Sequence, residues 1–112
     1  MKNPTLTLIG IPKNLLATEL KSNSYAPGKA FDTFTAQTGW HEPRIEIENG
    51  NLVLSGGEIT NVASTDEFEQ KDSAFMKALH GFVKAIGGIT GAVNIVVGGK
   101  SFALDVPARV GA

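Results

Sequence analysis

The sequence predicts an α+β domain: a mostly antiparallel sheet of five or more strands, containing two β-hairpins, with one main helix over about residues 65–87 packed on one face. Three observations carry that expectation. Residues 64–88, STDEFEQKDSAFMKALHGFVKAIGG, show a start, an apolar face and a stop for a helix. Asn49-Gly50 and Gly98-Gly99 each separate two short apolar runs, as two-residue hairpin turns do. Taken in order, the segments read β, an ambiguous element, an irregular stretch, ββ, α, ββ, which closes into one antiparallel sheet under a helix.

The helix is expected to begin at Ser64, whose hydroxyl and the Glu67 carboxylate form a capping box. Asp66, Glu67 and Glu69 suit the positive end of the helix dipole, and Lys84 suits the negative end. Gly87 and Gly88 stop it. At about 100° per residue, Phe68, Phe75, Leu79, Phe82 and Ile86 fall on one stripe. Gln70, Ser73, Lys77, His80 and Lys84 fall opposite, which places His80 in solvent. Between them runs a row of small residues, Ala74, Ala78, Gly81 and Ala85, where a second backbone can come close. Glycine within a helix costs about 1 kcal/mol against alanine, which such a contact would offset. The plainer alternative is that this row skirts the edge of the domain's own sheet.

Along the rest of the chain, residues 5–11, TLTLIGI, read as a strand that Pro12 ends or places at an edge. Residues 12–21 read either as a short helix or as a returning strand, with the strand favoured. Residues 22–43 have turn punctuation, no clean period, and Tyr25, Phe31, Phe34 and Trp40, four of the eight aromatic residues. A strand over 30–38 is one reading; the remainder reads as an extended arm or loop excursion packing on something else. Ile45, Ile47, Leu52 and Leu54 form the apolar face of the first hairpin. The run Val93–Val97 is apolar except for Asn94, which places it centrally, and Phe102, Leu104 and Val106 return beside it.

A chain of 112 residues is one domain, long enough to bury a core without staples. Its charged fraction is 19% and its net charge −1, so no long-range field draws it to nucleic acid or to an acidic membrane. With no cysteine, disulfides and thiolate metal sites are excluded. No signal peptide or membrane span is legible, which gives the cytoplasm or a virus particle as the expected location.

Chemical motifs are weak. Gly99-Lys100-Ser101 matches the end of a phosphate-binding loop, but Asn94 stands where the pattern needs glycine, and a strand follows where it needs a helix. His41 and Glu42 are adjacent, and neighbours in an extended chain point to opposite sides. No catalytic constellation, cofactor site or metal-ligand spacing follows, and the expectation is a protein that is not an enzyme. Tyr25, Lys29, Phe31, Phe34, Trp40 and Arg44 interleave rings with positive charge. Anchors of protein–protein contacts and stacking platforms for single-stranded nucleic acid both look like this. The leading expectation is a self-associating structural or interaction protein, whose partner is itself or another protein; small subunits of this kind occur in viral (phage) particles. The alternative is a module binding single-stranded nucleic acid or a small ligand.

Overall fold

The computed structural model describes residues 1–10, 29–86 and 88–106. It is an α+β fold. Strands β1 (Thr5–Leu8), β3 (Arg44–Glu48), β4 (Asn51–Ser55), β6 (Val93–Val97) and β7 (Lys100–Leu104) form an antiparallel sheet in the order β3-β4-β1-β6-β7. Helices α1 (Lys29–Thr38) and α2 (Ala74–Ala85) pack against each other. A short antiparallel pair, β2 (Trp40–His41) and β5 (Glu58–Ile59), completes the set.

Both hairpins form as the sequence predicts. Asn49 and Gly50 have φ of 52° and 79°, and Gly98 and Gly99 have 59° and 82°, the paired left-handed conformations of a type I′ turn. The apolar face of the sheet is Leu6, Leu8, Ile45, Leu52, Leu54, Val93, Ile95 and Leu104; these share one buried cluster with the helices. The layer arrangement is therefore two helices on one sheet face. Pro12 lies outside the described residues. Of the two readings of the first strand, the one that placed it at an edge is overturned: β1 is the middle strand, bonded to β4 on one side and β6 on the other. Its alternation of threonine with leucine fits a strand whose two faces differ, not one at a margin.

The main helix is divided. A 3-10 turn, Thr65–Phe68, precedes it, and α2 proper begins at Ala74. Ser64 makes no side-chain cap. The cap is Ser73, whose Oγ accepts from the Met76 amide at 3.2 Å and donates to the Glu67 carbonyl at 2.6 Å. Glu67 reaches back to the Ala63 amide at 2.7 Å, one residue beyond the expected Ser64. The break lets Phe68 do what a straight helix forbids. Seven residues apart, Phe68 and Phe75 would be separated by about 10 Å along an axis; their rings lie 4.8 Å apart, and Phe68 also meets Phe102 of β7 at 5.5 Å. At the far end the Gly88 amide donates to the Val83 carbonyl at 2.8 Å, closing the helix as the glycine signal predicts.

The expected strand over residues 30–38 is helix α1. Its buried residues Phe31, Phe34 and Thr38 recur at three and four, a helical spacing. Thr35 and Thr38 return their hydroxyls to the helix's own carbonyls, Thr35 to Asp32 at 3.1 Å and Thr38 to Phe34 at 2.9 Å. Gly39, at φ 67°, then turns the chain into β2. Of residues 12–21, the ambiguous element, all lie outside the described residues.

The short pair β2–β5 continues the large sheet across a kink. Arg44 stands opposite Ser55, and three residues outward on each strand His41 stands opposite Glu58. Thr5 also faces Ser55, and three residues outward Lys2 faces Glu58. The register is thus unbroken through all three strands. What changes is the face. The inward residues change parity, from Leu6 and Pro4 to Met1, from Ile45 to Trp40 and from Leu54 to Ile59, so each strand turns over. Left-handed residues lie on that line in every strand: Asn3 at φ 51°, Glu42 at 54°, Gly56 at 79° and Gly57 at 64°.

Candidate functional site

Three of the four aromatic residues that the sequence offers as an extended arm, Phe31, Phe34 and Trp40, line the core. Phe34 is 1% exposed, Trp40 3% and Phe31 8%. Phe34 stacks on Phe82 at 5.0 Å and meets Phe75 and Trp40 edge-on at 6.1 and 6.3 Å. Residues 29–43 are therefore a helix and a strand of the domain, not an excursion from it, because burying three large rings against α2 outweighs the irregular local signal. Arg44 is exposed at the start of β3 and Lys29 is the first residue of α1. Tyr25 lies outside the described residues. The rings that are described are not on a surface where they could stack on a base.

The small-residue row of α2 is divided between core and surface. Ala78 is buried, while Ala74, Gly81 and Ala85 are exposed. Helix α1, from the same chain, is the second backbone that packs on α2. Gly81 has no atom within 4 Å of where a β-carbon would stand, so no described contact requires a glycine there.

The two histidines part ways. His41 is exposed, 3.4 Å from the Thr60 hydroxyl, with Glu58 opposite it in the pair β2–β5. His80 is half-buried instead of lying in solvent, and its shielded Nε2 has no hydrogen-bond partner among the described residues. Among the described residues no three histidine, aspartate or glutamate side chains gather as metal ligands would. A cavity of about 310 Å³ has Pro43, Arg44, Ile45 and Glu46, at the start of β3, in its lining.

The surface that sequence reasoning missed is the outer face of the sheet, opposite the helices. The register aligns two rows across it. One runs Ser55, Thr5, Val96, Ser101; the other runs Val53, Thr7, Asn94, Ala103. Neither row carries a charge; Arg44, Glu46 and Glu48 lie at the β3 edge, and Asp105 follows β7 in the next row, that of Ile9. No described element packs on this face, and its residues are half-buried or exposed. Ile9, the one exposed large apolar side chain among the described residues, extends the outward series of Thr5 and Thr7. A signal for it was present in the sequence: the alternate positions of four strands are all uncharged. It becomes a surface only once their register is known.

No family model, curated protein or solved structure matches this chain. No described helix is long and apolar enough to cross a membrane.

Proposed function

We propose that this protein is a non-enzymatic, self-associating structural or interaction subunit. The observation that carries the reading is the uncharged outer face of the sheet. Four adjacent strands present threonine, valine, serine, asparagine and alanine outward, with Ile9 exposed at one end. Solvated sheet faces ordinarily alternate apolar-in with polar-out, and charged residues supply much of a soluble domain's surface. A neutral β-branched face has no like charges to oppose on meeting its own copy, and a net charge of −1 gives copies little mutual repulsion.

The support has moved from where the sequence put it. The aromatic residues of 29–43 fill the core, so the case rests on the sheet and not on an arm. For the alternative, a module binding single-stranded nucleic acid or a small ligand, Phe31, Phe34 and Trp40 are buried and Tyr25 lies outside the described residues.

Sedimentation velocity from low micromolar to millimolar concentration tests the proposal. The expected result is a mass that rises with concentration and is insensitive to salt, since no charge pairing drives the contact. A single monomeric species throughout overturns it. Electron microscopy of the concentrated protein tests the stronger form, in which the chain is a subunit of a larger particle such as a viral one.

A further inference from the structure

The two margins of the sheet are not alike. At one margin β3, RIEIE, sets Arg44, Glu46 and Glu48 along its outward face and is preceded by Pro43. Charges and proline are the devices by which natural sheets guard an edge against pairing. At the other margin β7, KSFAL, has its one charge at the turn; Ser101, Phe102, Ala103 and Leu104 are uncharged. Among the described residues nothing pairs with the outer side of β7. Ser101 and Ala103 are exposed and Phe102 is half-buried.

The hairpin fixes which backbone groups are free. In an antiparallel ladder the pairs alternate between those that exchange hydrogen bonds and those that do not. The two-residue turn makes Val97 and Lys100 a bonded pair, so Ile95–Phe102 and Val93–Leu104 are bonded as well. The amides and carbonyls of Ser101 and Ala103 therefore point away from β6, on a side where no described strand pairs with β7.

We propose that β7 is the self-association edge: two copies pair β7 with β7, antiparallel, about a two-fold axis at Phe102, making one continuous sheet with all helices on the same side. This rests on the self-association reading above and adds to the outer face a second contact, at the sheet's margin. In that register Ser101 of each copy exchanges two hydrogen bonds with Ala103 of the other, which satisfies every free group just identified. The two Phe102 rings stand opposite each other on the helix side, beside Phe68, which already packs on Phe102 at 5.5 Å. Aromatic pairs directly across a sheet are among the stabilising cross-strand contacts. The contact is isologous, so it closes as a dimer. The equivalent pairing of β3 would set Glu46 against Glu46, which explains the choice of margin. An edge of five residues buries well under the roughly 800 Å² per partner of a standard interface, so the dimer is expected to be weak and to dissociate on dilution.

The test substitutes Ala103→Pro. Proline is tolerated on an edge strand where the missing N–H faced solvent, so the β6–β7 ladder is kept. The substitution removes two intermolecular hydrogen bonds by symmetry and is expected to weaken dimerisation about ten- to a hundredfold. A second measurement guards against a variant that fails to fold: amide exchange of the unaltered protein. The Ser101 and Ala103 amides are expected to gain protection as concentration rises, while those of Ile45 and Ile47 on β3 do not. If the protein associates but these two amides exchange at one rate throughout, the edge is wrong and self-association through another surface stands. If the protein remains monomeric, both proposals fall.

Discussion

The indole N–H of Trp40 donates to the Gly56 carbonyl across 2.8 Å, on the line where the sheet turns over. The partner that this carbonyl would have in a regular ladder is missing. Gly56 donates to Pro4 at 3.1 Å, but Pro4 has no N–H to return the bond. Trp40 supplies it from the neighbouring strand. One side chain thus fills the core beside Phe34 and satisfies the backbone at the kink.

Trp40→Phe keeps an aromatic ring and leaves that carbonyl without a donor. The expected loss is about 1–3 kcal/mol in urea unfolding followed by circular dichroism. A loss below a few tenths would mean that water replaces the indole without penalty.

Phe34→Ala removes the ring that joins Trp40, Phe75 and Phe82. A buried phenylalanine truncated to alanine costs about 3–5 kcal/mol. Were residues 29–43 an arm awaiting a partner, the same substitution would leave the isolated chain's stability unchanged, so thermal unfolding of the variant separates the two pictures. The unaltered protein is also expected to show no change in Trp40 emission on adding a single-stranded oligonucleotide at low salt, since that ring is inside.

Two serines compete for the start of the main helix. Ser73→Ala is expected to cost about 1 kcal/mol, the usual value of an N-cap, because its Oγ accepts from Met76. Ser64→Ala is expected to cost no more than a few tenths, because that side chain caps nothing. Chemical denaturation of the pair checks the order, and equal losses would contradict the break between the 3-10 turn and α2.

At the kink, Gly57 and Gly56 are both left-handed, but only one is crowded. A β-carbon on Gly57 would fall 2.0 Å from the His41 carbonyl oxygen, while one on Gly56 meets nothing within 4 Å. Gly56→Ala carries the conformational cost alone, about 1–2 kcal/mol. Gly57→Ala must also displace backbone, so its melting temperature is expected to fall further.

Much of the architecture was written locally. The φ preferences of Asn49-Gly50 and Gly98-Gly99 specify both hairpins without reference to the rest of the chain. The alternation in Thr5–Leu8 and in Ile45, Leu52 and Leu54 assigns their inward faces, and Gly88 ends α2 through a bond to its own last turn.

The sequence by itself determined the turns, the alternation and the helix end, because each depends on the torsional freedom and hydrogen bonding of residues a few places apart. Tertiary structure alone decided that 29–38 is helical, that Phe68 leaves the helix line to meet Phe102, that β1 is the middle strand, and that three strands turn over together. Those outcomes depend on which apolar surface finds which partner across the sheet. Phe34 on Phe82 and Trp40 on Gly56 are separated by 48 and 16 residues, and a local pattern holds no record of such distances.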